Sequence, residues 1–323
     1  MKVAVGISGG VDSSVAAFLL KRLGYEVVGV TMLVGHHGEG EMLDRARRAS
    51  SLLSIPLEVV DFTETFGKEV LSYVKNEYSA ARTPNPCIRC NEKIKFGVLF
   101  DYAVSDLKCD MFATGHYARI DISSGRPRLL RAKDRSKDQS YFLYRVPVEV
   151  LARTIFPLGE MTKQEVRLVA SENAFASAEQ KDSQDFCFGD VANLINRNER
   201  SGNIISSDGR ILGRHGGISR FTVGMRKGLG LSGGTEPMYV LEIDPETSDV
   251  VVGPKKDAYS FDLSLNDVCG RIDKSLPLKV RSTGEPAYLK DGLFAVSPGQ
   301  SAVFYDGEEV VGGGVISKYK ETI

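Results

Sequence analysis

No window of this 323-residue chain approaches the run of roughly 20 apolar residues that a membrane-spanning helix needs, so no such span is expected. The opening MKVAVGISGG also lacks the apolar run and small-residue cleavage site of a secretory signal, which makes the cytoplasm the expected compartment. Cysteine is scarce and odd in number, with Cys87, Cys90, Cys109, Cys187 and Cys269. An odd set of reduced cytosolic thiols argues against a structural disulfide framework. Net charge is nearly absent at −1, which excludes a uniformly basic nucleic-acid binder but not a locally basic one. Regular internal repeats and low-complexity tracts are also missing.

What is present has globular composition, 42% apolar and 26% charged, at a length that suits two domains or three small ones. Over the first 120 residues short β-branched runs alternate with helical patterns, the mark of βαβ units and a parallel sheet. Strands are expected at 2–7, 26–33, 57–60 and 111–114, and helices at 13–23, 41–53, 64–78 and 92–107. Thr162, with Glu165 three residues on, forms a capping box that opens a helix with Val166, Val169 and Ala170 on one face. Beyond Arg200 glycines crowd the chain, helical periodicity disappears, and strand pairs such as YVLEI with VVVG and AVFY with VVGGGVI replace it. Asp306-Gly307 marks a hairpin turn between the last pair. The expected organisation is a Rossmann-like α/β domain over 1–200, then β-rich domains over 201–255 and 256–323.

Charge is unevenly spread. From Arg119 to Lys137 seven Lys/Arg meet only Asp121 and Asp134, and from Arg210 to Lys227 five basic residues meet no acid. A phosphate-binding strip and an ordinary solvated face both fit such runs.

The first expected strand runs straight into Ser8-Gly9-Gly10-Val11-Asp12-Ser13-Ser14 and a helix, which aims backbone N–H groups and a helix N-terminus at an anion. Ser8, Ser13 and Ser14 can donate hydroxyls to phosphate oxygens, and Asp12 is placed to hold Mg²⁺ or a hydrogen bond near the leaving group. No lysine follows the glycines, so the loop is neither a P-loop nor a GxGxxG turn. SGGVDSS resembles the pyrophosphate loop of the ATP pyrophosphatases, which split ATP between the α and β phosphates to adenylate a substrate.

Cys90 lies in TPNPCIRCNEKIKFG, where two prolines fix an extended backbone and Asn91 or Glu92 can begin a helix whose N-terminus favours a thiolate. Cys187 lies in the polar turn KDSQDFCFG. No second CxxC or CxxH has metal spacing, which disfavours structural zinc. Cys109 and Cys269, alone among apolar or strand-like neighbours, read as small buried hydrophobes.

Eight segments occur in order: SGGVDSS, RTPNPCIRCNEKIKFG, ATGHYAR, KDQSYFL, FPLGEMTKQEVR, DSQDFCF, FTVGMRKGLG and SPGQSAVFYDGEEVVGGG. Together they resemble the tRNA-specific 2-thiouridylase family over nearly the whole chain. The resemblance implies an adenine nucleotide alpha hydrolase-like N-terminal domain, a small central β-rich domain and a C-terminal β-barrel. It implies ATP at Gly6, Ile7, Ser8, Gly9, Gly10, Val11, Asp12, Ser13, Met32 and Gly115, with Mg²⁺ as companion. Catalysis falls to Asp12, to Cys187 as the acceptor of a persulfide sulfur from a donor protein, and to Cys90 as the thiol that helps release it. Asn85, Pro86 and Cys87 would meet the target base, a wobble uridine of tRNA. His116, Lys137, Asp138, Gln139, Arg281, Ser282 and Gln300 would contact the rest of the tRNA. The sequence departs from the family pattern at Cys87, where many relatives have Asp, at Met225 for Gln, at Ala81 for a common Gly, and in the short segment 34–40.

Other readings remain open at this point. An adenylating synthetase of the same fold would use ammonia or an amine and leave the cysteines idle. A tRNA-binding module without catalysis is another. Within thiolation, Cys87, Cys90 and Cys187 are alternative ligands for a [4Fe–4S] cluster with one open iron that binds sulfide.

Overall fold

A computed structural model describes residues 1–36, 38–175, 194, 199–231 and 236–318. The chain divides into two compact units, one of Met1–Val70, Cys87–Gly189 and Gly307–Val310, the other of Leu71–Pro86, Asp190–Asp306 and Val311–Ile323. No helix among the described residues is long and apolar enough to cross a membrane.

The chain opens with β1 (Lys2–Gly6), α1 (Val11–Arg22), β2 (Glu26–Leu33), α2 (Glu39–Leu53) and β3 (Leu57–Asp61). Next come α3 (Thr63–Phe66), a π-helical turn Gly67–Leu71, α4 (Ser72–Ser79), α5 (Pro86–Cys90), a second π-helical stretch Asn91–Val98 and α6 (Leu99–Ser105). β4 (Met111–Ala113), β5 (Ala118–Asp121), β6 (Arg128–Arg131), α7 (Val148–Leu151), β7 (Thr154–Ile155) and α8 (Lys163–Glu172) complete this part.

In the first unit a parallel sheet has the order β3-β2-β1-β4-β7. Because side chains alternate along a strand, Val3 and Val5 pack into one core with Val15, Leu20 and Val166. Ala4 faces the other core, with Phe96, Leu99, Phe112 and Leu143. Both faces of the sheet are thus covered, as a parallel sheet requires. β1 and β4 are neighbours whose chain connections run to opposite sides, so the loops leaving their C-terminal ends flank a topological switch point, where α/β sheets bind ligands. Those loops are Ile7–Gly10 and Thr114–His116.

The helix expected from residue 92 begins at Pro86. A proline costs nothing at the first helical position, where its missing N–H would have no partner and its φ is already helical. Cys87 and Cys90 therefore sit inside a helical turn rather than ahead of one. Gly97, at φ −107° and ψ −110°, breaks the path before α6.

Among its described residues the second unit contains antiparallel-rich sheets. β8 (Gly202–Ser206), β9 (Ile211–His215), β10 (Met238–Ile243) and β11 (Val250–Pro254) form the order β10-β11-β8-β9 over a core of Ile204, Phe221, Leu229, Val240, Val250 and Val252. Next are β12 (Tyr259–Ser260), β13 (Ser264–Gly270), β14 (Leu278–Lys279), β15 (Leu293–Phe294), β16 (Ser301–Asp306) and β17 (Glu309–Lys318). β12 and β15 form a small antiparallel pair. β14, β16, β17 and β13 pack over Leu263, Leu278, Val296 and Phe304. β16 and β17 adjoin across the expected Asp306-Gly307 turn, where Gly307 takes φ +58°. Cys109 is buried as expected, whereas Cys269 on β13 is only half-buried, because the bulge between Asn266 and Cys269 loosens its strand against β17.

Candidate active site

The loop after β1 is held by its own hydroxyls. Ser13 Oγ donates to the Gly10 carbonyl at 3.2 Å and accepts from Ser8 N at 3.2 Å, while Ser14 Oγ donates to Gly10 O at 2.9 Å. Thr31 Oγ1 donates to the Ile7 carbonyl, tying the start of the loop to β2. Gly10 is the N-cap of α1 and no side chain caps that terminus, so the positive end of the helix is left for a ligand. Gly9 sits at φ +72°, and a Cβ there would fall 2.4 Å from Arg45 Cβ on α2. Gly115 approaches as closely from the other side, since its Cβ would lie 2.8 Å from Asp12 C and from Ser13 N. The two glycines let three segments close around one backbone cradle. Gly6 ends β1, and Met32, half-buried, lies near the C-terminal end of the neighbouring β2.

Asp12 points to two partners that the sequence reading did not single out. Lys163 Nζ lies 2.8 and 2.9 Å from its two carboxylate oxygens, and Tyr117 OH donates to Oδ1 at 2.9 Å. Lys163 is the first residue of α8, which the predicted Thr162–Glu165 capping box starts and whose backbone N–H also donates to Asp134 at 3.0 Å. The signal was present in two quoted motifs, as the Lys of FPLGEMTKQEVR and the Tyr of ATGHYAR. The carboxylate expected to hold Mg²⁺ does not fit that task as it stands, because an ammonium already faces both of its oxygens.

Cys87 and Cys90 occupy one turn of α5, with Cys90 buried and Cys87 exposed. Arg89 anchors the turn through Glu69 at 2.8 Å, and Asn91 Nδ2 donates to the Phe142 carbonyl at 3.1 Å. Glu92, three residues after Arg89, accepts from Arg145 Nε at 3.0 Å. Desolvation by surrounding protein pushes the Cys87 thiol up even though its side chain reaches solvent, and the Lys95 ammonium opposes this only in part. Cys187 lies outside the described residues. Among those residues no group of three His, Cys, Asp or Glu is arranged to hold a metal ion.

His116 follows β4 with its ring against Phe96 and Phe156, centroids 5.8 and 6.1 Å apart, and Nδ1 2.7 Å from Thr114 Oγ1. Burial, with a smaller push from Lys95, holds its pKa well below the usual 6.5, so the ring is neutral at physiological pH. It can offer a ligand a neutral hydrogen bond but not a cation. Gln139 Oε1 accepts from Tyr117 N at 2.9 Å, which pins the 137–139 segment beside it. Asp138 is turned inward, accepting from Ala132 N and from Ser140, with Arg131 at 3.5 Å. Its side chain is only 1% exposed, so its expected tRNA contact is not available while Lys137, half-buried, remains at the surface.

Residues 1–190 match the family described as tRNA methyl transferase HUP domain, 193–254 the PRC-barrel domain of the same series, and 287–316 the aminomethyltransferase beta-barrel domain. The chain is 40% identical to the tRNA-specific 2-thiouridylase MnmA of Nostoc punctiforme, covering 98% of this chain and 99% of that protein. The proteins of that name from Endomicrobium trichonymphae, at 42%, and Synechocystis, at 41%, are matched over 98% or more of both chains. The chain belongs to the tRNA-specific 2-thiouridylase family.

The departures from the thiouridylase pattern have local accounts. Met225 packs against the core of the β8–β11 sheet, where a thioether fills space that a polar side chain would not. Ala81 takes φ +54°, the left-handed region in which glycine is unstrained. In the short segment 34–40, Glu39 Oε1 accepts from Val34 N and Gly35 N, which closes the turn between β2 and α2.

In the second unit, two residues expected to reach tRNA are spent on backbone. Gln300 Nε2 donates to the carbonyls of Thr83 and Pro84, both at 3.0 Å, and Thr83 N donates to Pro298 O at 2.8 Å. Arg281 Nη2 donates to Val223 O at 2.6 Å and Ala295 O at 3.1 Å, while its neighbour Ser282 is half-buried. Asn85 and Pro86 close the Thr83–Pro86 strap, Asn85 half-buried and Pro86 buried. The basic run of the first unit is likewise less available than its sequence suggests. Arg119 and Arg135 both pair with Glu308, Arg128 pairs with Asp121 and Glu309, and Arg131 is buried.

Proposed function

We propose that the protein is an ATP-dependent tRNA 2-thiouridine synthase that acts on the wobble uridine. The observation that carries this reading is likeness along the full chain to thiouridylases at 40 to 42% identity. The cradle of Gly9, Gly10 and Gly115 at the switch point supports ATP as the activating substrate. In this reading the uridine O2 attacks the α phosphorus, pyrophosphate leaves with the electron pair of the bridging bond, and a proton is lost from the uracil ring. A persulfide on Cys187, loaded by a donor protein, then attacks C2 and AMP departs with the former carbonyl oxygen. Cys90 thiolate attacks Cys187 Sγ, breaks the S–S bond so that the outer sulfur stays on C2, and leaves a Cys90–Cys187 disulfide that an external thiol reduces. Asn85, Pro86 and Cys87 meet the base in this scheme, with His116, Lys137 and Ser282 at the RNA.

The same reading assigns 1–200 to the nucleotide and catalytic domain, 201–255 to the central domain and 256–323 to the barrel, and it takes the cytoplasm as compartment. Persulfide relay is preferred to a [4Fe–4S] mechanism because a CxxC with one distant cysteine is a short pattern that arises readily by chance. Nucleoside mass spectrometry of tRNA from cells with and without the protein tests the reaction: loss of 2-thiouridine species is expected, and unchanged levels would refute it. Cys187→Ala with full turnover would favour amine chemistry instead. Iron and sulfide analysis after anaerobic purification separates relay from cluster, and about four irons per chain would overturn the relay.

A further inference from the structure

We infer that Lys163 supplies the phosphate-binding cation that the glycine loop itself lacks, and that Asp12 is the positioning residue holding its ammonium at the loop. This rests on the nucleotide reading above and deepens it. The loop has no lysine after its glycines, yet Lys163 Nζ reaches Asp12 on the first turn of α1 at 2.8 Å from another helix.

Nothing in folding asks for this arrangement. Lys163 opens α8, where the positive end of the helix disfavours a cation, and it is 8% exposed, where desolvation disfavours a charge. A buried ion pair is weak grounds for stability, since well-packed apolar residues often do as well. The local structure nevertheless fixes the lysine in place. The capping box sets the start of α8, Asp134 holds the Lys163 N–H, the Tyr117 ring lies 5.8 Å from Nζ, and Tyr117 OH steadies Asp12.

When the α–β bond of ATP breaks, negative charge builds on the departing pyrophosphate beside the N-terminus of α1. An ammonium fixed there stabilises that charge without having to reorganise. Before ATP arrives, Asp12 neutralises the lysine, so the empty site carries no uncompensated buried cation.

Isothermal titration of the whole protein with inorganic pyrophosphate, in chelator and without divalent metal, tests the assignment. Lys163→Met is expected to weaken binding at least tenfold, and Lys163→Arg to keep it within about threefold. Asp12→Asn is expected to tighten metal-free pyrophosphate binding several-fold, because it removes a repelling carboxylate and leaves the ammonium uncompensated. A gain of affinity cannot come from misfolding. Wild-type affinity in Lys163→Met, or weaker binding in Asp12→Asn, would overturn the inference while leaving the thiolation reading intact. A wild-type protein that binds neither ATP nor pyrophosphate would sink the nucleotide reading and this inference with it.

Discussion

The glycine loop after β1 and the clasp in which Gln300 and Arg281 hold backbone carbonyls both carry residues expected to touch ligand, but they differ in where their polar groups point. In the loop, serine hydroxyls satisfy one another and the Gly10 carbonyl, and no side chain caps α1, so the helix terminus stays open to phosphate. In the clasp, Gln300 and Arg281 spend donors on the carbonyls of Thr83, Pro84, Val223 and Ala295. A polar residue type at a motif position thus marks importance without saying whether it serves a ligand or the backbone that presents one.

The sharpest way to break this contrast is Gly115→Ala. Its methyl would meet Asp12 and Ser13 backbone at 2.8 Å, where no flexible side chain can yield. ATP-dependent pyrophosphate release should fall by about 100-fold or more, on the principle that a misplacement of about 1 Å at a reacting site costs that much. Near wild-type release would mean that the loop is not the nucleotide cradle.

Gln300→Ala sharpens the other side. If the side chain holds the strap that leads into α5, single-turnover thiolation should slow by roughly tenfold while the tRNA Kd stays within about twofold, since misplacement rather than lost contact is at work. A Kd that weakens tenfold with an unchanged rate would return Gln300 to the RNA surface.

A third effect concerns pH. The folded-state pKa of His116 lies below its ordinary value, so the unfolded chain binds the extra proton. Its contribution is therefore complete above pH 6.5 and is lost as pH falls below that value, at up to about 1.4 kcal/mol per pH unit. Thermal unfolding at pH 7.5 and 5.5 should show a smaller acid loss in His116→Asn than in wild type, and equal losses would contradict the assignment.

The smallest effect expected is a gain. Ala81→Gly relieves a left-handed alanine at the entrance to the strap and should raise stability by about 0.5 to 1 kcal/mol, after the entropy cost of glycine. Denaturant unfolding reads this directly, and a loss of stability would show that the strain is absorbed elsewhere.

Much of the first unit was legible because periodicity and turn chemistry are local. The β1–α1–β2 boundaries followed from β-branched runs bounded by glycine, and the α8 start from a capping box whose two hydrogen bonds both form. The start of α5 was missed because prolines were read as marks of extended chain, although proline at the first helical position is unstrained.

The sequence by itself determined the parallel sheet, the anion-ready loop and the family, since each depends on residues close together in the chain or on motifs in fixed order. Only the tertiary structure decided which charges are free. Arg131 meets Asp138 in the interior, Arg119 and Arg135 meet Glu308 from far along the chain, and Lys163 meets Asp12 across two helices. Electrostatic partnership depends on distance in space, which distance along the chain does not fix beyond a turn of helix or a hairpin.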